Sequence, residues 1–190
     1  YGNRIHDQTD PAEALAALDP KVFRAFDTPD AKGALYAAYL GRAEALTTLD
    51  QHGDALADWD RTLQLADVDA RPALRILRAT ARARLGKYED AIKEIADVAS
   101  ALKDKRAFYR CACAYAIAIK AVEADMQRPK AERDKLTAAY ATEAVRLLSE
   151  AHKLAFFQSP EDRKLLDIAD LATLRSRPEF QQLSAELKLP

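Results

Sequence analysis

The chain has few of the residues and turns that would make β-structure. Gly accounts for only 5 of the 190 residues, and no Asn-Gly or Asp-Gly pair marks a tight hairpin turn. No segment keeps up the two-residue alternation of a half-buried strand. Ala and Leu dominate instead, and both lose little side-chain freedom in a helix. The composition therefore predicts an all-α protein.

Long apolar runs and an excess of one charge are also missing. No run approaches the roughly 20 apolar residues that span a bilayer. The 29 Lys and Arg residues are balanced by 30 Asp and Glu residues, so the basic field that nucleic-acid binding requires is not expected. The first residues, Tyr1 to Arg4, resemble neither an initiator methionine nor a signal peptide. We expect an excised piece of a longer protein, with no membrane segment in this piece and no nucleic-acid partner.

The two cysteines do not form an evident disulfide or metal site. Cys111 and Cys113 are two positions apart on a predicted helix, where their side chains are turned by about 200° from each other. His6, His52 and His152 are scattered, without the spacing of a zinc site. We predict two buried free thiols, no metal, no cofactor and a cytoplasmic location.

Prolines divide the chain into helices. Seven of the eight can be read as residues that open a helix, because proline lacks an N–H that the first turn does not use. Asp10 before Pro11 and Ser159 before Pro160 add capping oxygens. The predicted helices are 11–18, 20–26, 31–50, 53–66, 72–85, 87–102, 105–127, 129–157, 161–168 and 178–188.

A sequence pattern recurs with a period of 36 residues. Arg42-Ala43 and Ala55 are repeated as Arg78-Ala79 and Ala91. Small residues at these positions let two helices approach closely, and large residues one turn further on, such as Trp59, fill the space beyond. The pattern predicts antiparallel helix pairs stacked along the chain.

The repeat resembles the tetratricopeptide repeat. Its most similar element is the turn between helices, Leu85-Gly86-Lys87-Tyr88-Glu89-Asp90-Ala91. A third, degenerate unit has Phe108, Cys111, Ala112 and Tyr115 in its first helix and Ala144, Leu148 and Ala151 in its second. The resemblance implies a helical-repeat solenoid that binds a protein or peptide. The domains it implies are an N-terminal helical lead-in over 1–30 and a repeat domain over 31–190, with units 36–69, 72–104 and 105–157 and a cap over 160–188.

A narrower resemblance covers the C-terminal part. The segment from Phe108 to Ala116 and the ending Asp170-Leu171…Leu174-Arg175…Arg177-Pro178-Glu179-Phe180 resemble the C-terminal repeat region of certain bacterial serine/threonine protein kinases. This implies a regulatory or recruiting tail of a larger bacterial signalling protein. No kinase motif lies in the sequence itself, so we expect this piece not to be an enzyme. Leu171, Leu174, Phe180 and Leu183 are expected to cap the last helix pair.

The resemblance also implies which residues line a binding groove. The implied groove residues do not include the cluster of Lys and Asn with which some tetratricopeptide grooves bind a terminal carboxylate. Ile76 and Ile117 can equally be core residues, and residues 1–30 can cover some of the apolar positions. The groove residues are Leu40, Glu44, Thr48, Ile76, Thr80, Arg84, Tyr109, Cys113 and Ile117.

Two other functions remain open at this level: a self-associating structural array forming a homo-oligomer, and a helical enzyme with an unrecognised site.

Asp58 and Asp60 diverge on a helix, so we interpret them as solvated acids on either side of a core Trp59 rather than as a catalytic pair. The charged run 123–135 is interpreted as a solvated face of two long helices, or as a projecting binding element.

Overall fold

A computed structural model describes residues 32–188, and this part of the chain is helical without any strand. The all-α prediction is confirmed. Eight α-helices are described: α1 Lys32–Thr48, α2 His52–Leu65, α3 Arg71–Arg84, α4 Tyr88–Ala99, α5 Lys105–Ala124, α6 Lys130–Lys153, α7 Pro160–Lys164 and α8 Pro178–Lys188. Two 3₁₀ segments, Leu165–Asp167 and Ala169–Leu174, lie between α7 and α8.

The chain divides into two compact units. The first ends at Ala81 and the second begins at Arg82, so the boundary falls within α3 and within the predicted repeat unit 72–104. The predicted helices 11–18 and 20–26 and the lead-in over 1–30 lie outside the described residues. The other predicted helices match observed ones to within a few residues. The 3₁₀ segment over Ala169–Leu174 was not among the predicted helices.

Among the described helices, side-chain caps mark the starts of α5 and α7. Ser159 Oγ accepts a hydrogen bond from the Asp162 backbone N–H at 3.0 Å, and Pro160 is the first helical residue, as predicted. Asp104 caps α5 in the same way through the Ala107 N–H at 2.8 Å. Pro129 differs from the prediction. Its ψ of 141° is extended, so it precedes α6 rather than opening it.

In the first unit, α1 packs against α2 around a small apolar core. Ala43 and Ala55 are fully buried in this core, and Trp59 lies beside them. The small side chains allow the close approach of the two helices that the sequence pattern predicted. Leu46 and Leu74 complete the centre of the cluster.

In the second unit, α5 is the central helix. It packs against α4, α6 and the 3₁₀ segment over Ala169–Leu174, while α8 packs against α6. Every residue from Cys111 to Ile119 is buried. A helix enclosed on all sides in this way cannot follow the half-apolar pattern of a surface helix, and its sequence is correspondingly rich in Ala and Ile.

Three of the described helices are followed, two positions after their last residue, by a residue with left-handed backbone conformation. Gly86 has a φ of 77°, and the Lys87 N–H bonds back to the Arg82 carbonyl at 2.9 Å. Asp50, at the position 36 residues earlier, has a φ of 57°. Ala155, after α6, has a φ of 60°. The backward bond and left-handed residue form the usual C-terminal cap of a helix, for which glycine is the preferred residue.

Candidate interaction site

Five of the nine predicted groove residues belong to the first unit. Glu44 and Thr48 are exposed on α1, one helical turn apart. Leu40 is half-buried and packs against the apolar core, and Thr80 is half-buried on α3. Ile76 is only 1% exposed, which places its side chain in the interior. Of this group, Glu44 and Thr48 are the side chains most available to a partner.

The other four residues belong to the second unit. Tyr109, Cys113 and Ile117 follow one another at four-residue intervals and therefore lie along one face of α5. All three are buried. Arg84, the last residue of α3, is exposed and close enough to Cys113 to influence the pKa of its thiol. The structure thus brings Arg84 to the α5 face that the resemblance implicated.

A C-terminal segment of the same chain covers this face. We call residues Leu165–Leu174, which comprise the two 3₁₀ segments, the strap. The Tyr109 hydroxyl donates a hydrogen bond to the Leu165 carbonyl at 3.0 Å. The Thr173 hydroxyl donates to the Ala116 carbonyl at 3.1 Å. Three strap leucines are fully enclosed: Leu166, Leu171 and Leu174.

An ion pair joins the strap to the end of α3. Arg84 Nη2 lies 2.8 Å from both carboxylate oxygens of Asp170. The two side chains are 30% and 27% exposed, so the pair lies at the edge of the contact rather than within it. The cation that was predicted to meet a partner therefore meets an acid of this chain.

Burial keeps the polar groups of the α5 face neutral. Desolvation raises the pKa of the Cys113 thiol to about 12, and it outweighs the opposing influence of the Tyr109 hydrogen bond and of Arg84. Burial likewise raises the pKa of Tyr109 well above its ordinary value. The phenol therefore remains a hydrogen-bond donor at physiological pH. The second thiol, Cys111, has its pKa raised by burial to about 12 and is also unpaired with any other cysteine.

The four residues that were expected to cap the last helix pair are all buried, and the cap itself stays a prediction. Leu171 and Leu174 are enclosed in the strap, which packs on α5. Phe180 and Leu183 are buried on α8, which packs on α6. The four leucine and phenylalanine side chains thus cover two different helices.

A cavity in the second unit was not predicted from the sequence. Its volume is about 360 Å³, and its lining includes the apolar residues Leu102 and Phe108. Arg146 also lines the cavity and donates hydrogen bonds to both carboxylate oxygens of Glu143, at 2.8 and 2.6 Å. Glu150 accepts from Lys153 at 2.8 Å. The charges of this cavity are therefore already paired within the chain.

Two buried acids were missed or misread in the sequence. Asp58 was interpreted as solvated, and this is wrong: it is 2% exposed and accepts hydrogen bonds from Arg42 Nε and Nη2. Glu94, at the position 36 residues later, is also buried and pairs with Arg82 at 2.8 Å. A buried carboxylate is stable only when it is paired. The recurrence of an acid with this period was the signal available in the sequence.

The charged run 123–135 comprises the end of α5, the connection over 125–129 and the start of α6, and it is more than a solvated face. Arg128 Nε donates a hydrogen bond to the Tyr88 hydroxyl at 2.9 Å, and its Nη2 pairs with Glu89 on α4. The Tyr88 hydroxyl in turn donates to Asp125 at 2.6 Å. Tyr88 lowers the pKa of the Asp125 carboxyl through this hydrogen bond. The run therefore fastens the connection to α4.

Within residues 32–188, no cluster of His, Cys, Asp and Glu has the arrangement of a metal site. None of the helices in this part of the chain combines the length and apolar character needed to cross a membrane. Comparison of the chain with protein-family models, with curated proteins and with solved structures gave no match.

Proposed function

We propose that this chain is a non-enzymatic, tetratricopeptide-like module that binds a segment of a partner protein. In this proposal the helix pairs form repeats of a solenoid, and the module is a cytoplasmic regulatory or recruiting tail of a larger bacterial signalling protein such as a serine/threonine kinase. The proposal rests on the 36-residue pattern and on the two resemblances carried by the sequence.

The observation that supports it best is the contact between the strap and α5. The resemblance implicates Arg84, Tyr109 and Cys113 in binding a peptide, and these residues lie where a short segment of chain is held. The contact has the features of peptide recognition: a charge pair at Arg84, a backbone carbonyl bound by the Tyr109 hydroxyl, and enclosed leucines.

The chemistry of the two thiols supports a binding role over catalysis. A cysteine nucleophile acts as a thiolate and has a lowered pKa. Burial raises the pKa of Cys111 and of Cys113 to about 12, so both thiols stay protonated at physiological pH. They are suited to packing rather than to attack on a substrate.

Peptide selection tests the proposal. A library of displayed peptides is selected on the full chain, and the affinities of the selected peptides are measured by fluorescence anisotropy. Arg84→Glu and Glu44→Arg are each expected to weaken binding about tenfold or more for peptides that contact them, because each reverses a charge on the predicted surface. The matched charge reversals are Lys120→Glu and Glu123→Arg, at exposed positions of α5 outside the predicted set.

Selected peptides that bind equally well to both groove variants would contradict the assignment. If no peptide is selected and light scattering finds a stable homo-oligomer, the structural alternative replaces the binding one. Turnover of a substrate that is abolished by a single carboxylate or His substitution would instead establish the enzymatic alternative.

A further inference from the structure

The strap already fills the face of α5 on which the proposed function places a partner. We propose that the strap is a built-in competitor, and that the partner segment which displaces it carries the strap's own pattern: an acid, a leucine directly after it, and a second leucine three residues later. In this chain the pattern is Asp170, Leu171 and Leu174. The inference rests on the proposed function and adds to it the chemistry of the partner and the regulation of the site.

The pattern follows from the contacts that hold the strap. The two leucines are enclosed, which requires two apolar side chains on one side of a short turn. Asp170 points its carboxylate at Arg84, with 2.8 Å from Nη2 to each oxygen. The Tyr109 hydroxyl donates its hydrogen bond to the backbone carbonyl of Leu165, so this contact does not discriminate between side chains at that position of a bound segment. The leucines and the acid therefore carry the specificity.

The form of the strap makes it separable from the helices that it covers. It consists of a three-residue and a six-residue 3₁₀ segment, and 3₁₀ helices of this length are not stable by themselves. Its conformation therefore depends on the contact with α5 and on Arg175, whose Nη2 bonds back to the Asp167 carbonyl at 2.6 Å. The ion pair with Arg84 lies at the open edge, where a competing carboxylate has access.

Competition within one chain sets the size of the effect. A partner binds only the fraction of molecules whose strap is released, so its apparent affinity equals its intrinsic affinity multiplied by that fraction. The strap competes at the millimolar effective concentration typical of a short tether. Weakening the strap therefore increases the affinity for a partner by the same factor by which strap closure is reduced.

One substitution tests this with opposite signs in two places. The probe is a labelled synthetic peptide with the sequence of residues 165–177, and its binding to the full chain is measured by fluorescence anisotropy. Asp170→Asn in the chain is expected to tighten peptide binding about fivefold, because the strap loses its ion pair with Arg84 and Arg84 becomes available to the peptide. Asp170→Asn in the peptide is expected to weaken binding to the unsubstituted chain by about the same factor. Combining the two is expected to cancel the effects.

The control is Asp167→Asn, made in the chain and in the peptide. Asp167 is an exposed acid of the same strap whose backbone carbonyl, not its side chain, makes the contact with Arg175. It should leave the affinity unchanged in both settings. Thr173→Val is a second variant of the chain, which removes the hydrogen bond to the Ala116 carbonyl with little change of shape and should also tighten peptide binding. Thermal unfolding verifies that each variant is folded.

Hydrogen exchange supplies an independent measurement. Saturating peptide should speed exchange of the strap amides in the unsubstituted chain while α5 stays protected. The inference is overturned if the peptide does not bind, if Asp170→Asn in the chain and in the peptide change the affinity in the same direction, or if strap exchange is unaffected by bound peptide. If one of these results is found but library peptides still bind in a way that Arg84→Glu or Glu44→Arg weakens, the proposed function stands and only the strap's role as a competitor is removed. If neither the strap peptide nor any library peptide binds, the proposed function and the strap inference are both removed.

Discussion

Asp58 of α2 is bound by Arg42 of α1 through both carboxylate oxygens, inside the first unit. Its side chain is almost completely removed from water. Asp58→Ala removes the carboxylate that pairs with the Arg42 guanidinium in a poorly solvated position, and we expect it to lower the free energy of unfolding by about 3 kcal/mol. Urea denaturation monitored by circular dichroism measures this change.

Asp60 provides the matched comparison. It lies on the same helix, two residues away, and pairs with Arg78 at 2.7 Å, but its side chain is far more exposed than that of Asp58. Exposed ion pairs contribute little, so Asp60→Ala should cost at most about 1 kcal/mol. Equal losses for the two substitutions would mean that Asp58 is solvated after all, as the sequence had suggested.

The left-handed residues at two helix ends predict opposite effects of exchanging Gly and Ala. Gly86→Ala places a Cβ at a φ of 77° and should destabilise the protein by about 1 kcal/mol. Ala155→Gly relieves the same conflict at a φ of 60° and should stabilise it by a similar amount. Chemical denaturation of the two single variants gives both signs.

Gly41 serves as the control for this pair. It lies in the middle of α1, where a Cβ would meet no atom within 4 Å. Gly41→Ala should therefore stabilise the protein by about 0.5–1 kcal/mol through helix propensity alone. If Gly41→Ala instead destabilises the protein, Gly41 is required for close packing of α1 against its surroundings.

Much of the helical layout could be predicted because it depends on local signals. Ser159 before Pro160 marks a helix start by itself, and Gly86 marks a helix end. The buried alanines of the repeat were equally accessible, since Ala43 and Ala55 recur at a fixed period and are fully buried. These features follow from the size and backbone preference of single residues.

The long-range contacts could not be predicted in the same way. Arg84 and Asp170 are 86 positions apart, and no local preference indicates that they meet. The strap consists of two short 3₁₀ segments that owe their conformation to α5, so its sequence carries no strong helical period. Asp58 was misread because its neighbour Trp59 was assigned to the core and an acid beside it was assumed to face water. Its cationic partner lies on the other helix of the pair.

Ala79 tests the requirement for a small residue in the repeat. It is completely buried on α3. Ala79→Leu adds three carbon atoms in an enclosed place and should reduce the free energy of unfolding by about 1–3 kcal/mol. Lys130→Ala, at an exposed position paired with Asp134, should change it by no more than about 0.5 kcal/mol. Identical thermal midpoints for the two variants would contradict the assignment of Ala79 to a helix contact.

The two thiols predict a loss of stability in alkaline solution. The pKa of each is about 12 in the folded chain and about 9 when the thiol is unperturbed, because burial disfavours the thiolate. Because the pKa of each thiol is higher in the folded chain, the unfolded chain releases these protons at a lower pH. The thiols' contribution to the free energy of unfolding is therefore complete below about pH 9 and is lost as the pH rises towards 12. Between pH 9.5 and 11, each thiol should make the free energy of unfolding fall by roughly 1 kcal/mol per pH unit. Replacing Cys111 and Cys113 singly by Ala should each remove about that much from the slope measured by urea denaturation. A slope that both variants leave unchanged would show that the thiols ionise as readily in the folded chain as in the unfolded one.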